Sequence, residues 1–243
     1  MAPLLCSLSY PLQQETKPST RQSTRDNAED IANNGGSIEL LEEKIKKECS
    51  DRVLKLTFTG YRTVHNLGTA VLLSNEGYAL TIAHLFKDGF NEEKLRDIKI
   101  FDAQNKQHSI ESITLIDYVH DIALIKSSYK NPSLPKIHIG PPPVFGEKLW
   151  VYRTFSEGGE GDTKFAISNS IVDVINREDR EIKPDSFTIR LKCYPGHSGS
   201  PIFNKKGSLV GILIARNIKG EEESWAAKPI NIYSALRDSG AVK

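Results

Sequence analysis

Short apolar or alternating runs, separated by glycine, asparagine, aspartate and proline, follow one another along most of this chain. Val53–Phe58 alternates, and Gly68–Leu73 leads through turn residues into Tyr78–Ile82. Many short runs at close spacing are typical of antiparallel strands and predict a barrel or a sandwich. A parallel sheet would need helical crossovers, which are missing from this region. The pattern therefore predicts an all-β fold.

A proline-rich stretch divides these runs into two sets. Residues 131–143 contain five prolines, and a second set of strand-like runs begins at Lys148. We therefore expect two β units of comparable size, one within residues 37–135 and the other within residues 144–243. The polar residues 1–36 carry too little apolar surface to offset the cost of ordering their backbone, which predicts a flexible N-terminal tail.

Two helices are expected at the edges of these units. Ser37, followed by Leu40, Leu41 and Ile45, has the spacing of a capped amphipathic helix that ends near residue 48. Residues 229–237 begin with a proline and precede a glycine, as helices often do. The sequence thus predicts an N-terminal helix in the first unit and a C-terminal helix in the second.

Ser198 lies between glycines in the segment 195–201, with strand-like runs on both sides. Glycines permit a tight turn and a close approach of backbone to substrate. Such a turn can direct the amides of Gly196 and Ser198 at one point, where a developing oxyanion could be stabilised. A serine hydroxyl is a weak nucleophile without a base, so a histidine and an orienting carboxylate are expected elsewhere.

Two other segments supply these groups. His84 follows the run 78–82, and Asp121 directly precedes the apolar run 122–125. His120 is a rival base, but its side chain is expected on the opposite strand face from that of its neighbour. An α/β-hydrolase would need its histidine after the serine, whereas the last histidine here is His197. The pattern predicts a triad of His84, Asp121 and Ser198.

Three segments resemble the blocks that carry the triad in chymotrypsin-like serine peptidases. They are Thr81–His84, Asp121–Leu124 and Gly196–Pro201, and they occur in the family's order. The resemblance covers residues 50–236. It implies two antiparallel six-stranded β-barrels, with His84 and Asp121 from the first and Ser198 from the second. It also implies an oxyanion hole formed by the amides of Gly196 and Ser198.

Within that family, the chain is similar to bacterial members. Residues 196–204 resemble the serine block of glutamyl endopeptidases, and residues 207–212 with 226–231 resemble HtrA protease domains. No segment of PDZ size follows, so a protease domain without that regulator is expected. His197 stands where the animal digestive enzymes have an aspartate that pairs with a newly cleaved N-terminus. The resemblance therefore implies no activation of that kind, and leaves open what holds Gly196 in place.

Alignment on the serine block also suggests substrate-binding residues. Lys192 falls at the base of the specificity pocket, and Leu213, Ile214, Ala215 and Arg216 form one wall. The positive charge of Lys192 or of Arg216 would favour a substrate with an acidic side chain before the scissile bond. A solvent-exposed Lys192 is the alternative.

The remaining features exclude several function classes. The formal net charge is only +1, which does not favour nucleic acid as a partner, and no apolar stretch is long enough for a membrane span. We expect no cofactor and no metal, because Cys193 and His197 have no further ligands nearby. The three cysteines are odd in number and widely spaced, which favours a cytoplasmic protein, with secretion by a bacterium as the alternative. The oligomeric state stays open.

Together these observations predict a serine endopeptidase that hydrolyses polypeptides through an acyl-enzyme on Ser198. The alternative is a protease-like scaffold that lacks activity and serves binding, because a collapsed oxyanion hole or a blocked cleft leaves no mark in a sequence.

Overall fold

The described part of the chain is built mainly of β-strands. The computed structural model describes residues 43, 45–47, 49–59, 64–86, 95–156, 163–175, 186–191, 194, 196–216, 223–227, 232, 236 and 237. For residues 59, 64–66, 155–156, 163–175, 215–216 and 223–227 it describes the backbone alone. One compact unit, residues 39–243, contains all of them.

Twelve strands and two 3-10 turns occur in these ranges. The turns are Ser50–Arg52 and Ala83–Phe86. The strands are β1 Val53–Thr59, β2 Val64–Leu72, β3 Tyr78–Thr81, β4 Ile98–Phe101, β5 Gln107–Asp117, β6 Ile122–Ser127, β7 Lys148–Ser156, β8 Thr163–Ile175, β9 Ser186–Arg190, β10 Pro201–Phe203, β11 Leu209–Arg216 and β12 Glu223–Ala227.

The first six strands form a closed antiparallel barrel in the order β1-β2-β3-β6-β5-β4. The ring closes because β1 pairs with both β2 and β4. The short hairpin between β2 and β3 turns at Gly77, whose φ of +92° is one that L-residues rarely adopt. The expectation of a mostly β chain with a six-stranded barrel is confirmed.

The other six strands pair in the order β10-β11-β12-β9-β8-β7, and β10 also pairs with β7. All of these pairs are antiparallel. The register shifts between Leu213 and Ala215 in the β11–β12 pair, which indicates a bulge or similar irregularity there. We call the two sets of strands the first barrel and the second ring.

Alternation along the strands produces two packing faces. Leu54 and Leu56 of β1 belong to the cluster inside the first barrel, whereas Val53 belongs to a cluster that both sets of strands share. In β7, Leu149 lies in the cluster inside the second ring and Trp150 in the shared one. Successive side chains of a strand point to opposite faces of the sheet. Apolar residues at both odd and even positions therefore predict strands that are buried on both faces.

The proline-rich stretch links the two sets of strands along the shared core. Between β6 and β7 it forms only an isolated bridge, where Ile139 pairs with Leu209. The amide of Ile137 donates to the carbonyl of Leu73 in the first barrel over 3.1 Å. The amide of Gly140 donates to the carbonyl of Leu209 in the second ring over 2.8 Å. The connector therefore bonds to both β units.

The predicted tail, residues 1–36, lies outside the described residues, as do Cys6 and Cys193. Both predicted helices fall largely outside them as well. Residues 43, 45–47 and 49 are helical where described, as are residues 232, 236 and 237. Ile45, Cys49, Ile232 and Leu236 are buried in the shared core. In the described ranges, no helix is long and apolar enough to cross a membrane.

Candidate active site

Asp121 holds His84 through both of its carboxylate oxygens. Oδ2 lies 2.7 Å from the Nδ1 of His84, and Oδ1 accepts the His84 backbone amide over 2.8 Å. The Asp121 side chain is only 3% exposed, whereas the imidazole is 36% exposed. A carboxylate beside Nδ1 favours the tautomer with its proton there, so Nε2 is the ring nitrogen that can accept a proton.

The positions of these two residues follow from the strand ends. His84 lies in the 3-10 turn directly after β3, and Asp121 ends the turn before β6. Because β3 and β6 are paired neighbours, Thr81 lies opposite Ala123, which brings the two segments together. Asp121 has a φ of +59°, a left-handed conformation that aspartate adopts more readily than most residues.

The neighbouring His120 contacts a different carboxylate, that of Asp117. Its Nδ1 lies 2.6 Å from Oδ2 of Asp117, within the same turn. Asp117 also accepts the backbone amides of Val119 and His120. The structure therefore brings His84 and Asp121 together and pairs His120 with a different carboxylate.

Ser198 lies in a loop that leads into β10. The His197 amide donates to the Tyr194 carbonyl over 3.0 Å, and Gly196 between them has a φ of +92°. A positive φ at the third position is the signature of a type II turn, which glycine occupies most readily. Gly199 has a φ of +84°. Glycines on both sides of Ser198 therefore adopt conformations that other residues would resist.

Residues of the first barrel anchor this loop. The Thr69 amide of β2 donates to the carbonyl of Ser198 over 2.7 Å. The hydroxyl of Thr81 in turn donates to the carbonyl of Thr69, also over 2.7 Å. On the second ring, the Gly199 amide donates to the carbonyl of Leu213 over 2.7 Å. The serine loop is thus bonded to both sets of strands.

Gly68 marks how closely the loop approaches the histidine segment. A Cβ at this position would lie 2.7 Å from the Ser198 carbonyl oxygen and 3.1 Å from Cδ1 of Leu85. Leu85 is the residue after His84. A glycine is required here because the serine loop and the histidine turn pack on the same point of β2.

The predicted pocket residues are only partly described. Leu213 and Ile214 are buried, at 1% and 2% exposure, and pack into the inner and the shared clusters. Ala215 and Arg216 are described as backbone of β11, and Lys192 lies outside the described residues. Within the described ranges, no group of three or more His, Cys, Asp or Glu is arranged to hold a metal.

Sequence reasoning missed the contacts through which two residues shape the serine loop. The Thr69 side chain is fully buried, and its hydroxyl lies 2.9 Å from that of Thr154 and 3.4 Å from the Gly196 carbonyl. His197 accepts a hydrogen bond from the Tyr194 amide at its Nδ1 over 3.2 Å. Neither role could be read from spacing, because each depends on a contact between segments or on a side-chain direction.

An antiparallel six-stranded barrel that carries a carboxylate-bound histidine, and whose strand β2 also anchors a glycine-flanked serine loop, is typical of the chymotrypsin-like class of β proteins. The sequence pattern of the trypsin-like peptidase domain matches residues 68–212. The chain belongs to this family.

Curated relatives carry related names. The chain is 27% identical over 156 residues to a "Probable periplasmic serine endoprotease DegP-like" of Pseudomonas putida, which covers 62% of this chain and 29% of that protein. It is also 27% identical over 180 residues to a "Serine protease HtrA-like" of Staphylococcus aureus, covering 68% of this chain and 22% of that one. The chain thus spans less than a third of the length of these relatives.

Solved structures share the fold. The active form of the Rv3671c protease of M. tuberculosis superposes with a TM-score of 0.66 at 19% identity, over 95% of this chain and 96% of that one. A serine endoprotease of Yersinia pestis superposes with a TM-score of 0.62 at 18% identity, over 81% and 65% of the two chains.

Proposed function

We propose that this protein is a two-barrel serine endopeptidase in which Ser198 is the nucleophile, His84 the general base and Asp121 the residue that orients the base. The observation that carries the proposal is that both carboxylate oxygens of Asp121 contact His84, one at its backbone amide and the other at Nδ1. One oxygen fixes the backbone of the histidine and the other fixes its ring, so the tautomer and the orientation needed for a base are both specified.

In the proposed first step, the Oγ of Ser198 attacks the carbonyl carbon of a peptide bond, and Nε2 of His84 takes the hydroxyl proton. The amides of Gly196 and Ser198 stabilise the negative charge that develops on the carbonyl oxygen. As the carbon–nitrogen bond breaks, His84 gives its proton to the departing amine. An acyl-enzyme on Ser198 remains.

In the second step, His84 takes a proton from a water molecule, whose oxygen attacks the acyl carbon. The ester bond to Ser198 then breaks, and the proton returns to the serine oxygen. Asp121 stays ionised throughout and stabilises the imidazolium that forms in each step. The free enzyme is regenerated at the end of this step.

A fluorophosphonate probe tests the proposal against that of a silent binding scaffold. We expect the wild-type chain to be labelled covalently and the Ser198→Ala variant to remain unlabelled. Ser133→Ala, which alters an exposed serine of the connector, is the matched control and should be labelled like the wild type. A folded wild-type chain that resists the probe would favour the scaffold.

We further propose a preference for acidic residues before the scissile bond. The support is the alignment that puts Lys192 at the pocket base and Arg216 on its wall, where a cation would attract a carboxylate. Leu213 itself contributes a buried apolar side chain. Digestion of a peptide library should give cleavage mainly after Glu or Asp, and Lys192→Gln should weaken this preference. Cleavage mainly after Lys or Arg would contradict it.

The names of the relatives also bear on location. One printed name includes the word periplasmic, and nothing in the comparisons supports the expectation of a cytoplasmic protein. We therefore propose that this domain acts outside the bacterial cytoplasm. Fractionation of the native host, with detection by an antibody to this domain, tests the location.

A further inference from the structure

Tyr194 and His197 exchange two hydrogen bonds across one tight turn. The His197 amide donates to the Tyr194 carbonyl over 3.0 Å, as in any such turn. In the opposite direction, the Tyr194 amide donates to Nδ1 of the His197 ring over 3.2 Å. The second bond needs a side chain that can accept at this position, so it depends on the identity of residue 197.

The surroundings of the ring keep it able to accept. His197 is 5% exposed, and the Tyr194 ring contacts it edge-on at 5.7 Å between centroids. Burial, with Arg153 of β7 as a smaller cause, lowers the pKa of His197 to about 4. A neutral imidazole carries one acceptor nitrogen, whereas the protonated ring carries none. Two titratable groups of the described residues act on the ring: Arg153 through its charge and Tyr194 through the ring contact.

We propose that His197 is a positioning residue whose neutral imidazole closes the turn around Gly196 and so holds the amide of Gly196 toward the substrate carbonyl. This inference rests on the proposed function, in which that amide stabilises the oxyanion. Gly196 lies between the two residues that the bonds join, and its φ of +92° is that of the third position of the closed type II turn. If the turn opens, the amide loses its direction while the triad remains intact.

Variants of His197 distinguish the effect of its hydrogen-bond acceptor from the effect of its side-chain size. In His197→Asn, the amide oxygen occupies the place of Nδ1 on the same carbon and can accept the Tyr194 amide. In His197→Leu, a branched side chain of similar size can accept nothing. We expect the rate of fluorophosphonate labelling to fall roughly tenfold or more in the leucine variant. The asparagine variant should stay close to the wild type.

Spectroscopy on the wild-type chain tests the bond without any need for activity. Selective 15N-tyrosine labelling gives one amide signal for each of the 8 tyrosines, and the Tyr194→Phe variant identifies the relevant one. We expect this signal to shift as the pH falls through about 4, because protonation of the ring breaks the bond. In His197→Asn, the signal should lose this transition.

The outcomes distinguish the two proposals. Absence of labelling in a folded wild-type chain overturns the proposed function, and the tyrosine signal still tests the bond. Normal labelling of a folded His197→Leu variant overturns the positioning role while the proposed function stands. If that variant fails to fold, the spectrum of the wild type decides. A Tyr194 signal that ignores pH between 3 and 7, or follows the ordinary histidine value of roughly 6.5, overturns the inference.

Discussion

The backbone amide of Thr69 donates to the carbonyl of Ser198 over 2.7 Å, although the two residues lie 129 positions apart and belong to different β units. The bond ties the loop of the proposed nucleophile to β2, which pairs with β3, the strand that precedes the histidine. The serine loop therefore depends on both the first barrel and the second ring for its position. The first barrel carries the proposed base and also anchors the loop of the proposed nucleophile.

Asp121→Asn should lower the labelling rate roughly 10³- to 10⁴-fold with little change in stability. The asparagine oxygen can still accept the His84 amide, but its NH₂ group faces Nδ1 and favours the tautomer that cannot act as a base. Fluorophosphonate kinetics and thermal unfolding give the two readouts.

Asp117→Asn is the matched control for this variant, because Asp117 lies only four residues before Asp121 and forms an equivalent carboxylate–histidine contact with His120. It should label like the wild type. Equal losses in both variants would show that His84 is not the specific partner.

Gly199→Ala should destabilise the fold by more than about 3 kcal/mol. The new methyl group would collide with the Thr69 carbonyl and lie 2.8 Å from the Thr81 hydroxyl, and the φ of +84° opposes an L-residue. Chemical denaturation measures the loss.

Gly146→Ala provides the comparison. Gly146 has a similar φ of +77°, but nothing lies within 4 Å of the added Cβ. Backbone strain alone should cost about 1 kcal/mol there. Similar losses at both positions would mean that the contact with Thr69 contributes nothing.

Thr69→Val should both destabilise the protein and slow labelling. The buried hydroxyl lies 2.9 Å from that of Thr154 and also reaches the Gly196 carbonyl. Its removal leaves a buried group without its partner, which costs about 1–3 kcal/mol. Thr69→Ser retains the hydroxyl and should restore most of the labelling rate. Both variants keep the backbone bond to Ser198, so a difference between them isolates the side chain.

The stability of the fold should decrease as the pH falls from 6.5 toward 4. The pKa of His197 drops from 6.5 to about 4 in the folded state, because burial disfavours its charged form. Between these values the unfolded chain binds more protons than the folded one, so unfolding becomes easier as acid is added. The effect is at most about 3 kcal/mol.

Urea unfolding at pH 6.5 and 4.5 measures this change. Other groups titrate in the same window, so the wild type is compared with His197→Asn, which should show a smaller decrease. Parallel decreases in the two proteins would contradict the assignment.

Much of the fold can be predicted from local pattern. The alternation in Val53–Phe58 reappears as β1, and the run 122–125 lies within β6. The glycines beside Ser198 correctly indicate a tight turn, because positive φ angles are required at Gly196 and Gly199. The three blocks that contain His84, Asp121 and Ser198, together with their order, suggest the roles of these residues, although they contain no distances.

Thr69 shows the limit of such reasoning. It stands in an apolar run and looks like an ordinary strand residue, yet its amide and hydroxyl both reach the serine loop. His197 is similar, since its burial and its contact with Tyr194 depend on how the loop folds back on itself. The environment of Thr69 is formed by segments that are distant along the chain, and that of His197 by a turn that closes when the loop packs.

The residue types and the spacing of apolar residues can be read from neighbouring positions in the sequence. They specify which segments form strands, where turns occur and which side chains can take part in catalysis. Distances between those groups depend on register and on closure of the rings, which are long-range. The contact of 2.7 Å between His84 and Asp121 exists because β3 pairs with β6. Burial, which lowers the pKa of His197, likewise results from packing the whole chain.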